Sequence, residues 1–393
     1  MHSNPISRLA GRGPSAGGLA AGILLALAVS GRADGLPPLS PDLPQDIPNP
    51  PAKVPEVDLF AWQMFVALNW PALKDHRGEP DIARKIGDDG VTVWESYKDS
   101  DEVFLPNGAD PGPWDDGSRW DEVRHLTHIA KASPSEIRLS HVNQAVGGSL
   151  TDLNGNLVFY QKAPDELSYE YIWKNRLYNA KDQQSVRKIS FPNGSIEVKA
   201  AWKVLTGADK PERFHTMPAT VVGTNGVPTA ALVGLVGFHI IVKTPKAPQW
   251  VWCTFEQVDN VPPKQDGVAS SFFNPDSTQP ANQQTPKGVP AQVTRVVQDL
   301  PGDLNRAYQA ALGNTDWKYY ELVGVQFPTE PLTPGALIGT PKPDVLGNTV
   351  LETYIQPISS CMACHSTATS QAGVKSDFSF MLLDAQSPNT TTK

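Results

Sequence analysis

Runs of lysine and arginine are missing from this chain, whose 33 basic residues are outnumbered by 41 acidic ones for a formal net charge of −8. That balance excludes nucleic acid as an expected partner. Beyond residue 33 no apolar run approaches the roughly 20 residues that cross a bilayer, so no membrane span is expected there. Internal repeats, a phosphate-cradling glycine loop and a nucleophile elbow are absent too. Cysteine is scarce, with three among 393 residues. What is present is 40% hydrophobic and 19% charged, enough to bury a sizeable core. The length suggests about two or three domains.

The first 33 residues differ from the rest. Arg8 and Arg12 precede the uncharged run "GGLAAGILLALAVS", and Gly31 and Ala33 offer a small-x-small exit. That is the pattern of a secretory signal peptide over 1–33, implying a periplasmic or otherwise exported protein. An uncleaved anchor is the plainer alternative. Removing 1–33 takes away three arginines and no acid, leaving a mature chain at −11.

A proline-rich linker over 34–57 follows, with eight prolines between 36 and 57. "DLFAWQMFVALNWPA" then reads as a buried helix, with Asp58 as its N-cap and Pro71 as its stop. Residues 99–120 form an acidic, turn-rich loop. From about 135 to 260 the apolar period is two: "SIEVKAAWKVL", "ALVGLVGFHIIVKT" and "PQWVWCTFEQ" predict strands of a mostly antiparallel sheet. "LNGNLV" at 153–158 carries hairpin turn chemistry. Residues 262–293 predict a long loop, 303–313 a short helix ended by Gly313, and "DWKYYELVGVQF" a strand. A second proline-rich connector, 328–344, leads to "VLGNTVLETYIQ", which predicts a helix delivering the chain to Cys361. The expected class is α+β: an antiparallel β-rich body over 58–327 with flanking helices, and a short C-terminal helical segment over 345–393.

That segment holds Cys361-Met362-Ala363-Cys364-His365, the Cys-x-x-Cys-His attachment pattern of c-type haem. Positions i and i+3 neighbour each other on a helical turn, so both thiols reach the two vinyl groups of one porphyrin. The next histidine then supplies an axial nitrogen to the iron. This chain's composition gives the pattern by chance about once in two thousand. A zinc site needs about four ligands, and only Cys253 and scattered histidines remain to complete one. A thioredoxin-like dithiol would need a βαβ setting, and a plain disulfide has no use for His365.

The motif resembles that of c-type cytochromes. With "LETYIQ" before it, "SDFSF" after it and "WVWCTFEQVDNVP" upstream, the mature chain looks like bacterial exported mono-haem proteins of the cytochrome c family. The resemblance implies one covalent haem c and a redox partner protein, and brings no substrate. The chain departs from small cytochrome c domains, which place the motif near their start. Only 28 residues follow His365, so the haem must lean on the body upstream.

Met381 in "SDFSFMLLD" is the nearest sixth ligand for the iron, with core packing as its plainer reading. His125 and His128, three apart on a predicted helix face, and His141, His215 and His239 near strand patterns are the histidine alternatives. An open iron site is the remaining one. His239, Lys199, Lys203 and Glu256 can share a sheet face as a proton-transfer site, or simply be its solvated side. Trp250 and Trp252 offer stacking surface or core packing, and Cys253 reads as a buried reduced thiol. The leading functional expectation is one-electron transfer. A haem-dependent oxidoreductase with an open iron or a catalytic body is the second, and a non-catalytic haem sensor the third.

Overall fold

A computed structural model describes residues 36–48, 54–116, 148–222, 227–262, 267–296, 300–329 and 339–388, and the backbone alone of 124–126. The expected signal peptide, His128, His141 and residues 330–338 of the second connector lie outside the described residues. The strands are β1 (Arg124–Leu126), β2 (Val158–Pro164), β3 (Ile196–Val204), β4 (Thr216–Val222), β5 (Pro228–Thr244), β6 (Ala247–Gln257), β7 (Tyr320–Pro328) and β8 (Pro341–Lys342). The described α-helices are α1 (Val54–Leu68), α2 (Ser100–Val103), α3 (Glu166–Lys174), α4 (Ala180–Gln183), α5 (Gly302–Leu312) and α6 (Cys361–His365). The α+β class therefore holds. Pairing is antiparallel through β2-β3-β5-β6-β7, and the short β1 runs parallel to β4.

Each face of the sheet is covered. On one, α1 brings an all-round apolar surface: Phe65 stacks on Phe255 of β6 at 4.4 Å, and Trp62 stacks on Tyr308 of α5 at 4.7 Å. Trp62 Nε1 also donates to Asn305 of α5 at 3.0 Å. The opposite face is covered by the C-terminal tail. Val350 and Leu351 join Leu150, Val158, Tyr160, Val236 and Phe272 in one buried cluster. The tail belongs to the same compact unit as the sheet, Pro38–Lys393.

Several expectations are corrected. Asp58 caps nothing: α1 starts four residues earlier, with Pro55 tolerated in its first turn, and Asp58 lies buried inside it. Burial pushes its carboxyl up to about 7. His125 lies in a strand, not on a helix face. The stretch from Asp316 to Tyr319 is a 3-10 turn ahead of β7. The helix expected over "VLGNTVLETYIQ" is a run of turns with only Gln356–Ile358 helical, as 3-10. Asn348 Oδ1 accepts from the N–H groups of Val350 and Leu351, and such a side chain competes with helix bonding.

Gly237 of β5 marks how closely the tail lies on the sheet. A Cβ there would meet Val350 Cγ2 at 2.5 Å. Gly237→Ala is expected to cost about 1–3 kcal/mol through overpacking, read as a lowered urea midpoint at unchanged slope.

Candidate functional site

Strand register gathers the polar residues of the tail-covered face into rows. Lys162, Lys199, His239, Thr254 and Gly324 form one row across five strands. Glu197, Ile241, Trp252 and Gln326 form the next. The expectation that this face is solvated fails, because Glu197, Lys203 and Glu256 are all buried. Lys203 pairs with Asp209 at 2.6 Å and Asp152 at 3.6 Å. Glu256 takes Thr349 N and Oγ1 at 2.6 Å each and pairs with Arg295 at 3.2 Å. Lys199 and His239 are only partly buried, so this row keeps access that its neighbours lack.

The tail frames that row. Asn348 donates to Thr254 Oγ1 at 2.9 Å and to the Phe255 carbonyl at 3.0 Å. Glu352 Oε2 lies 3.2 Å from His239 Nε2. The Met362 amide donates to Gln326 Oε1 at 2.8 Å, pinning α6 to β7. Further on, Asp377 takes Lys243 at 2.5 Å, and Asp384 pairs with Lys162.

α6 is a single turn capped by Ser360. It brings Cys361, Cys364 and His365 together; both thiols are half-buried and outside any disulfide, while Met362 is buried beneath. The His365 ring packs against Trp252 at 4.4 Å and edge-on to Phe380 at 4.8 Å. Its Nδ1 lies 2.7 Å from the Phe378 carbonyl, which can only accept, so Nδ1 carries the proton. Burial pushes this imidazole down to about 4, with the Phe378 carbonyl opposing. It is therefore neutral, and Nε2 keeps its lone pair. A carbonyl bound to the far nitrogen is how metal-ligating histidines are oriented.

The backbone that presents this carbonyl is strained. Asp377 and Phe378 both have positive φ, 54° and 70°. Two non-glycine residues in that region cost of order 1–3 kcal/mol each and persist where their surroundings over-determine them. Here the Trp250 indole, itself at φ 66°, donates to the Asp377 carbonyl at 2.9 Å. The Phe191 amide donates to the Asp377 carboxylate at 2.7 Å.

Of the other candidates, Met381 is buried in a 3-10 turn directly after Phe380, on the segment that faces the Nδ1 edge of His365. His215 lies across the sheet, stacked on Trp317 at 4.3 Å and bound to Glu95 at 2.8 Å. Cys253 is a buried free thiol on the α1 side, its ionisation pushed well up by burial. Among the described residues no three His, Cys, Asp or Glu side chains gather into a cage for a bare metal ion. No helix among them is long and apolar enough to cross a membrane. Comparison with models of protein families, with curated proteins and with solved structures gives no match.

The residues fit a covalently attached haem. α6 presents two thiols at helical spacing, followed by an imidazole whose free nitrogen is set by the Phe378 carbonyl. Residue pattern alone missed two of the contributors. Phe378 acts through its main chain, which leaves no mark in a side-chain pattern, and Glu352 sits in a segment expected to be helical.

Proposed function

We propose that the protein is an exported c-type cytochrome with one covalent haem, working as a one-electron redox protein with a partner protein. Cys361 and Cys364 would hold the porphyrin through thioethers, and His365 Nε2 would take the proximal position at iron. When bound, the haem supplies reversible one-electron chemistry. The observation that carries this reading is the His365 Nδ1–Phe378 contact, because it leaves Nε2 as the only free nitrogen on a ring adjoining both cysteines. The tail's bonds to β5, β6 and β7 hold that ring against the sheet, which suits a carrier that changes shape little between oxidation states.

The test is expression in a host that matures c-type haem. Denatured wild-type protein is expected to retain covalent porphyrin. Cys361→Ala with Cys364→Ala is expected to lose it altogether, and each single change to weaken it. Denatured wild-type protein without porphyrin would end the proposal.

A further inference from the structure

We propose that Lys243, on β5, is a positioning residue for His365, acting through Asp377; its bearing on an iron rests on the attachment proposed above. The turn that presents the Phe378 carbonyl is the first argument. The Ser379 amide donates to the Ser376 carbonyl at 3.1 Å around two successive positive φ values, 54° at Asp377 and 70° at Phe378. That is the pattern of a type I′ turn, whose central positions favour asparagine, aspartate and glycine. Asp377 suits it and Phe378 does not, so something outside the turn must hold it.

The hold comes from a second irregular place. Pairing of β5 with β6 keeps one register as far as Val242–Val251 and resumes, shifted, at Thr244–Ala247. Lys243 therefore stands opposite three residues, Pro248, Gln249 and Trp250, and Trp250 has φ 66° there. Such a bulge re-aims side chains. This one brings Lys243 Nζ to Asp377 Oδ2 at 2.5 Å and the Trp250 indole N–H to the Asp377 carbonyl at 2.9 Å. Lys243 is itself fixed: its N–H donates to the Ser195 carbonyl at 2.9 Å, and its carbonyl accepts from the Gly194 amide at 2.7 Å. Every link from Lys243 to the imidazole is a close contact or a covalent bond. Nζ meets the Asp377 carboxylate, Asp377 leads to Phe378, and the Phe378 carbonyl meets Nδ1 at 2.7 Å. A buried bond between charged groups is among the strongest a side chain can lend a turn. Without that carbonyl in place, a neutral imidazole can carry its proton on either nitrogen.

The experiment reads the His365 tautomer by nitrogen-15 NMR at neutral pH, in the full chain made without haem. The wild type is expected to be protonated on Nδ1 alone. Lys243→Met combined with Asp377→Asn removes the ion pair without changing the net charge, and asparagine accepts positive φ. This double variant is expected to show both tautomers, and Lys243→Arg to keep the wild-type signal. In haem-loaded protein the double variant is expected to have a raised reduction potential. A carbonyl on Nδ1–H makes the imidazole a stronger donor to its metal, and the balanced charge leaves that bond as the difference. A double variant protonated on Nδ1 alone, or a wild type protonated on Nε2, would overturn the role. If the double variant does not fold, Asp377→Asn alone is read in its place, with the same expectation and the same overturning result. Loss of porphyrin on denaturation would end the haem reading but leave the tautomer result standing.

Discussion

A chain ending at residue 344 is expected not to fold. The sheet's tail-covered face would expose Tyr160, Val236 and Trp252, all buried in the whole protein. Three such side chains represent about 5–9 kcal/mol of burial, at roughly 1.5–3 kcal/mol each. That is the scale of an entire domain's stability, about 5–15 kcal/mol. Glu256 would meanwhile lose both bonds from Thr349, and Tyr160 its bond to the Val350 carbonyl. The truncated chain should show no cooperative thermal transition by circular dichroism and should be digested under conditions the full chain survives. A cooperative melt close to that of the whole protein would mean that the tail is an appendage, and the dependence of the site on the sheet would fall.

The sheet was legible because its signal is local. β3, β5 and β6 alternate or run apolar over nine residues or more, and each forms within a few residues of its expected bounds. α5 ends at Gly313, as the glycine there suggests, with φ 57°. The tail was not legible in the same way. "VLGNTVLETYIQ" has a helical mix of apolar and polar residues, but its bonds go elsewhere: Asn348 to β6, Thr349 to Glu256, Glu352 beside His239. Tertiary partners overrode local preference.

The same distinction explains the site. Cys361, Cys364 and His365 are read from spacing alone, because one helical turn dictates their geometry. Period-two patterning put His239, Lys199, Lys203 and Glu256 on one face, and the register agrees. Patterning cannot say what covers a face. A polar row reads as solvated unless one knows that the tail lies over it, with Asn348 on Thr254, Glu352 beside His239 and Asp384 on Lys162, which only the three-dimensional path of the tail reveals. Of the two readings of Trp252, stacking surface or core packing, the structure shows a buried ring that meets His365 at a tilt.

On the other side of the sheet, removing His215 is expected to cost about 3–5 kcal/mol, because it strands a buried carboxylate. His215 Nε2 is 2.8 Å from Glu95 Oε1 and Nδ1 is 3.5 Å from Asp316 Oδ2. Burial alone would push this imidazole down, but the charge of Glu95, with Asp316, overrides it and holds the group up at about 10. Glu95 feels the reverse: burial would raise it, and His215 together with two bonds from Thr92 keeps it lowered. A folded-state value above that of the unfolded chain means the contribution is complete below about 6.5, the ordinary histidine value. It is lost as pH rises through about 10. Urea midpoints should therefore fall between pH 7 and pH 10 in the wild type, and this fall should flatten in His215→Ala. Because Trp317 and Trp202, not the tail, lie against this histidine, its loss should leave the proposed haem attachment and its spectrum unchanged in whatever protein folds. A spectral change in His215→Ala would place this histidine at the proposed haem iron, and the assignment of that haem to the tail-covered face would be wrong.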